Sequence, residues 1–173
     1  YKDFKNPEIF LDLANKYSLD FICIHGRTQK QMYSGTADWK IVKKLSNIPR
    51  KTEFFGNGDL FEPLEIKKKI QNSNLDGIML SRGIIGNPWL ISQIRETLNS
   101  GKTTTFPDFK TVKNTILEHI SHLIENKGEI VAALEINKFI QPYFKNFMTE
   151  DFRKKLKEMV ILRSLKNMVK FLM

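Results

Sequence analysis

"LDFICIHGRTQKQMYSG" (residues 19–35) is the stretch on which the fold turns. It opens as a short, nearly continuous apolar run, the pattern of a parallel strand covered on both faces. It then places His25, Gly26 and Arg27 together in a polar loop. A second run, "LDGIML" (residues 75–80), starts with the same Leu-Asp pair and passes into Ser81, Arg82 and Gly83. Between the two, "IPRKTEFFGNGD" (residues 48–59) reads as a weaker strand ending in a glycine turn.

Helical periodicity follows each run. "WKIVKKLSN" (residues 39–47) repeats Trp39, Ile41, Val42 and Leu45 at helical spacing, with Thr36 or Asp38 as its cap. "EPLEIKKKIQN" (residues 62–72) and "PWLISQIRETLN" (residues 88–99) carry Pro63 and Pro88 near their starts, where proline is tolerated. Ahead of the first strand, "NPEIFLDLANKY" (residues 6–17) predicts an amphipathic helix. Asn6 is its cap, Pro7 its first helical position, and Ile9, Phe10, Leu13 and Ala14 its apolar face. Three strand-helix alternations imply an α/β fold with a parallel sheet built from right-handed crossovers.

The character changes after Gly101. "GKTTTFPD" (residues 101–108) is a polar linker, and the remainder predicts helices near 108–126, 129–147 and 150–171. Two domains are expected, 1–101 and 102–173. The length, 173 residues with 41% apolar, suffices for one ordinary core or two small ones. No apolar stretch approaches the roughly 20 residues of a membrane helix, and no signal-like segment opens the sequence. The single cysteine, Cys23, excludes a disulfide within the chain and reads as a small core residue. A cytoplasmic protein is therefore expected. The sequence opens on Tyr1 and not on methionine, which raises the expectation of a piece of something longer.

Net charge is +9. Its excess gathers late, where Lys145, Arg153, Lys154, Lys155, Lys157, Arg163, Lys166 and Lys170 meet only Glu150, Asp151 and Glu158. A solvated helix face explains such a run, and so does a face that binds a polyanion and releases its counterions.

Ligands of parallel βα folds collect at the carboxyl ends of the strands. All the candidate residues fall there: His25, Gly26 and Arg27 after the first strand, Gly56, Asn57, Gly58 and Asp59 after the second, Ser81, Arg82 and Gly83 after the third. Glycines let a backbone approach a ligand, and an arginine between a strand end and glycines has the fork geometry for phosphate. Singly, "GNGD" is also a plain turn and "SRGIIGNP" a loop before a capped helix. His119 and His122 stand three apart on a predicted helix with no third ligand to complete a metal set, and they read as surface residues.

In order and spacing, "IHGRT", "YSGTADW", "GNGDL" and "DGIMLSRGIIGNPWL" resemble the C-terminal half of the barrel of a tRNA-dihydrouridine synthase of the bacterial type. "EINKFIQPYFKNFMTEDFRKKLKEM" is similar, more loosely, to that family's C-terminal segment. The resemblance implies the C-terminal portion of a (β/α)8 TIM barrel holding FMN at its C-terminal face, followed by an all-α helical domain that grips tRNA. It implies NADPH as the reductant of the flavin, a hydride passed to a uracil ring and a proton supplied by a cysteine. It also implies that His25 contacts the flavin, that Asn57, Gly58 and Asp59 line the phosphate side of the pocket, and that Ser81 with Arg82 holds the phosphate. Ser81 stands where the family commonly has glycine, and Asn137 near where it usually has arginine.

The cysteine and a flavin-contacting lysine of the family precede anything in this chain, so no residue here is assigned to catalysis. On this reading the chain alone does not reduce tRNA and binds FMN weakly or not at all, while its basic helices retain salt-dependent affinity for tRNA. An FMN-dependent barrel oxidoreductase acting on a small molecule and a non-catalytic RNA-binding module are the alternatives.

Overall fold

In a computed structural model of the chain, residues 7–161 and 165–172 are described. The chain divides into two compact units, one of Tyr1–Ile84 with Leu90–Thr104, the other of Ile85–Trp89 with Thr105–Met173. The segment after the third strand thus belongs to the second unit although it is flanked on both sides by the first.

The first unit runs α1 (Glu8–Lys16), β1 (Phe21–His25), α2 (Trp39–Ser46), β2 (Glu53–Asn57), α3 (Pro63–Gln71), β3 (Gly77–Met79) and α4 (Leu90–Ser100). The strands form one parallel sheet in the order β1-β2-β3, with His25 opposite Asn57 and Asn57 opposite Met79. Asp38, not Thr36, caps α2: its side chain accepts from the N–H groups of Lys40 and Ile41. Pro63 opens α3. Pro88 precedes α4, which begins two residues later. Asp76, from the repeated Leu-Asp pair, accepts from the Phe54 N–H at 2.8 Å and pairs with Arg50, tying the start of β3 to β2.

The expectation of strands covered on both faces is corrected. Ile22, Ile24, Phe54 and Ile78 pack against α1–α4 in two clusters built on Leu11, Val42 and Leu45 and on Leu60, Ile66, Leu90 and Ile94. The alternate residues, Phe21, Cys23 and His25, Phe55 and Asn57, and Met79, point to the other side, which this unit's helices leave bare. There Phe21 is 51% exposed and Met79 44%. The Phe21 and Phe55 rings meet at 5.3 Å, and the Cys23 thiol lies 3.8 Å from the Met79 sulfur. Helix α1 differs in a related way, because it buries Leu11 and Ala14 while Ile9, Phe10 and Leu13 face outward. The narrow strip that touches the sheet is not the wide apolar face that the sequence offers. Asn6, its expected cap, lies outside the described residues.

In the second unit the described elements are helical: α5 (Phe109–Lys127), α6 (Glu129–Tyr143), α7 (Glu150–Ile161) and α8 (Leu165–Leu172). Asp108 caps α5 through the Thr111 N–H at 2.7 Å, and Gly128 makes the turn into α6. Val112, Ile116 and Ile120 form one ridge at four-residue spacing, and Ile136, Ile140 and Phe144 form the facing one. Leu156 and Met168 complete the core. One helix was expected over 150–171; the described residues give two, with 162–164, including the basic Arg163, outside them.

Candidate functional site

The carboxyl ends of β1, β2 and β3 open onto one cleft of about 440 Å³. His25, Asn57, Gly58, Asp59, Ser81 and Arg82 all line it, so three strand ends separated by up to 57 residues of sequence meet at one place. Met32, Tyr33, Phe61 and Met79 add apolar walls.

The loop after β2 is held from several directions. Trp39 donates its indole N–H to the Gly58 carbonyl at 2.8 Å, and Lys69 donates to the Asp59 carbonyl at 2.8 Å. Asn57 is buried and gives its side-chain N–H to the Met79 carbonyl at 2.6 Å, joining the ends of β2 and β3. Gly58 has φ +118°, and a Cβ there would lie 2.9 Å from His25 Nδ1, so the imidazole rests directly on the glycine backbone.

Arg27 and Arg82 have different positions. Arg27 is the buried one, with 5% of its side chain exposed. It donates to Asp59 at 2.6 Å and to the carbonyls of Ser34 and Gly35, which makes it the brace of its own loop. Arg82 keeps 37% of its side chain exposed. Its guanidinium lies 4.8 Å from the Tyr33 ring and 5.8 Å from the Phe61 ring, and Nη2 donates to Asp59 at 3.2 Å. The turn that carries it, a single 3-10 turn over Arg82–Ile84, closes through the Ile84 N–H on the Ser81 carbonyl at 3.2 Å. The N–H groups of Arg82 and Gly83 are not used by that turn.

Partial burial, then the charge of Arg27, lowers the pKa of His25; Asp59 opposes this and Arg82 adds to it, leaving the imidazole neutral near pH 7. Burial works to raise the Asp59 carboxyl, but the Arg27 hydrogen bond, the Ala37 N–H and the two guanidinium charges outweigh it and hold the group below the usual carboxylate range. Burial pushes the Cys23 thiol up, the opposite of an activated thiolate. A neutral donor-acceptor ring, one guanidinium open to the cleft and apolar walls suit a ligand with an anionic group and an apolar body.

Sequence reasoning missed Tyr33 and Phe61, whose only signal is their closeness to "GRT" and "GNGD", and it missed the anchoring by Trp39 and Lys69. It also misjudged His119. That residue is half-buried: its ring lies 5.0 Å from Phe139, and its Nδ1 is 3.4 Å from the Tyr143 hydroxyl, which itself meets Trp89 edge-on. His122 is exposed between Glu118 and Glu125. Burial, then His122, depresses the pKa of His119, with Glu135 opposing. The unfolded chain therefore takes up a proton near pH 6.5 that the folded one resists, and the stability is present above that value and lost below it. The urea midpoint of the second unit should fall between about pH 7.5 and about 5.5, and His119→Phe should flatten that slope; an unchanged slope would remove His119 as its source.

Of the basic run, Lys145, Arg153 and Lys157 surround a hollow of about 540 Å³ whose other walls are Gln141, Pro142, Met148 and Leu156. Arg153 is loosely paired with Glu150 at 3.8 Å and Lys155 closely with Asp151 at 2.9 Å. Asn137 Oδ1 is buried without a hydrogen-bond partner.

A parallel sheet clad by helices on one face, with its polar groups gathered at the carboxyl ends of the strands, is what a segment of a βα barrel presents. The chain belongs to the dihydrouridine synthase family, whose model matches residues 8–172. It is 34% identical over 125 residues to a probable tRNA-dihydrouridine synthase of Rickettsia bellii, an alignment covering 72% of this chain and 38% of that protein. A probable tRNA-dihydrouridine synthase of Mycobacterium tuberculosis is 30% identical over 126 residues, covering 73% and 32%. The tRNA-dihydrouridine synthase B of Pseudomonas putida is 25% identical over 142 residues, covering 80% and 41%. The chain thus spans about two fifths or less of the length of these relatives. Among the described residues no helix is long and apolar enough to cross a membrane.

Proposed function

We propose that this chain is the C-terminal part of a tRNA-dihydrouridine synthase, an oxidoreductase that reduces uridine in tRNA with FMN as cofactor and NADPH as reductant. Its three strands are the last of a (β/α)8 barrel, and its second unit is a helical tRNA-binding domain in a cytoplasmic enzyme. The observation that carries the reading is the half-exposed Arg82 guanidinium, close to two aromatic rings at a cleft where three strand ends converge.

The residues fit a phosphorylated flavin. Gly58 and Gly83 let the strand-end loops close tightly on His25 and on the Leu60 carbonyl, where a Cβ would clash, Arg82 offers a cation, and Met32, Tyr33, Phe61 and Met79 offer apolar contact. When bound, the flavin supplies the hydride transfer that none of these side chains can perform. Arg82 holds the phosphate, with Ser81 offering its backbone N–H and hydroxyl beside it. His25, kept neutral, meets the ring system as a hydrogen-bonding group without adding charge. Asn57 and Gly58 form the floor. The cationic hollow of Lys145, Arg153 and Lys157 supports a phosphate-rich substrate over a small molecule.

In the full-length protein that carries these residues, NADPH should saturate uracil in tRNA, read as loss of its absorbance. Arg82→Ala should weaken FMN at least about tenfold while leaving riboflavin, which has no phosphate, nearly unaffected. A complete protein that binds tRNA without reducing it would favour an RNA-binding module, and flavin reduction without any effect of tRNA would favour a small-molecule oxidoreductase.

A further inference from the structure

Asp59 is the one acidic side chain among the described residues that line the cleft. A carboxylate beside an anion-binding guanidinium repels the anion, so its presence there calls for a physical reason. Its oxygens are engaged by the protein: Oδ1 accepts from Arg27 Nη1 at 2.6 Å and from Arg82 Nη2 at 3.2 Å, and Oδ2 accepts from the Ala37 N–H at 2.7 Å. Its backbone adopts φ +49°, uncommon outside glycine and tolerated by Asp and Asn, and its carbonyl is fixed by Lys69. Side-chain exposure rises from 5% at Arg27 through 19% at Asp59 to 37% at Arg82. The carboxylate therefore stands between a buried brace and the cation that faces the cleft.

Tyr33 and Phe61 attract the Arg82 guanidinium through its charge, at 4.8 and 5.8 Å, but neither ring accepts a directed hydrogen bond from it. The Asp59 carboxylate does, from Nη2 at 3.2 Å. By binding Nη2 it directs the other N–H edge of the guanidinium away from itself.

We propose that the Asp59 carboxylate is a positioning group: it orients Arg82 toward the phosphate and so sets the preference of the site for a phosphorylated flavin over the unphosphorylated one. This rests on Arg82 being the phosphate-binding group. Like-charge repulsion from Asp59 is offset by its pairing with Arg27, whose charge is otherwise confined to the loop.

The test is a double-mutant cycle on the ratio of riboflavin to FMN dissociation constants, in the full-length protein with Arg82→Ala, D59N and both. Asparagine suits the left-handed backbone of position 59. D59N should lower the preference for FMN about tenfold with riboflavin affinity unchanged, and should have no further effect when Arg82 is already alanine. D59E, which keeps the charge but moves it by one methylene, should also lose part of the preference. Tighter FMN binding in D59N, equal losses for both ligands, an undiminished D59N effect beside Arg82→Ala, or an unchanged ratio in D59E would each overturn the proposal. If the unsubstituted protein does not discriminate FMN from riboflavin, the phosphate-binding reading of Arg82 fails first and this proposal with it.

Discussion

Gly83→Ala is expected to destabilise the sheet unit by upwards of about 3 kcal/mol, at the high end of what overpacking does. A Cβ at this position would sit 1.9 Å from the Leu60 carbonyl oxygen and 3.0 Å from Leu90. The first of these is a backbone atom on the loop after β2, and that loop is already fixed by Trp39, Lys69 and the Asp59 contacts. Neither side can yield cheaply. The strain falls between the turn of Arg82 and the loop of Asp59, so ligand binding should suffer together with stability. Trp39 lies in the first unit and Trp89 in the second, which allows each to be followed by fluorescence once the other is replaced. The Trp39 transition in urea should shift to lower denaturant, and an unshifted midpoint would mean that the turn and the loop separate more easily than their hydrogen bonds indicate.

Phe144→Ala should cost the helical unit about 3–5 kcal/mol, the usual range for deleting a buried aromatic side chain. Phe144 is fully buried, and it meets Phe109 at 5.4 Å and Phe152 at 5.0 Å, so the hole would open between two rings from two different helices. Phe109 also contacts Phe147 and Phe152. Rings held by several neighbours relax little into a cavity, which places the cost toward the upper end. The Trp89 transition in urea is the readout; a loss below about 1 kcal/mol would show that the cluster collapses around the gap.

Local chemistry was legible in the sequence and orientation was not. Short apolar runs gave parallel strands at β1, β2 and β3, period-3.6 patterning gave the helices beside them, and a short-range cap such as Asp38 acts within three residues of itself. Which face of an element finds a partner depends on residues far away. Ile9, Phe10 and Leu13 look like a core stripe and face outward, and the face of β1 that carries Phe21, Cys23 and His25 lacks cover in this unit. His119 looked solvated because its neighbours Phe139 and Tyr143 arrive only when α6 folds back on α5. In the cleft, glycines and arginines at strand ends announce a polar pocket. The difference between Arg27 and Arg82 comes from the Ser34 and Gly35 carbonyls and the rings of Tyr33 and Phe61, and no motif records it.

Residues 85–89 have a consequence for the order in which the protein can mature on the ribosome. Gly86, at φ +72°, is so close to the Pro142 and Tyr143 backbone that a Cβ would fall 2.3 Å from the Pro142 carbonyl carbon, and Trp89 meets the Tyr143 ring. Those partners are translated about 50 residues later, a delay of roughly 3–10 s at typical elongation rates. The sheet and its helices can close during that interval, because all their elements are already made. The segment that leaves the Arg82 turn cannot reach its final packing until the C-terminal end of α6 has emerged, so these five residues wait on a part of their own unit made well after them.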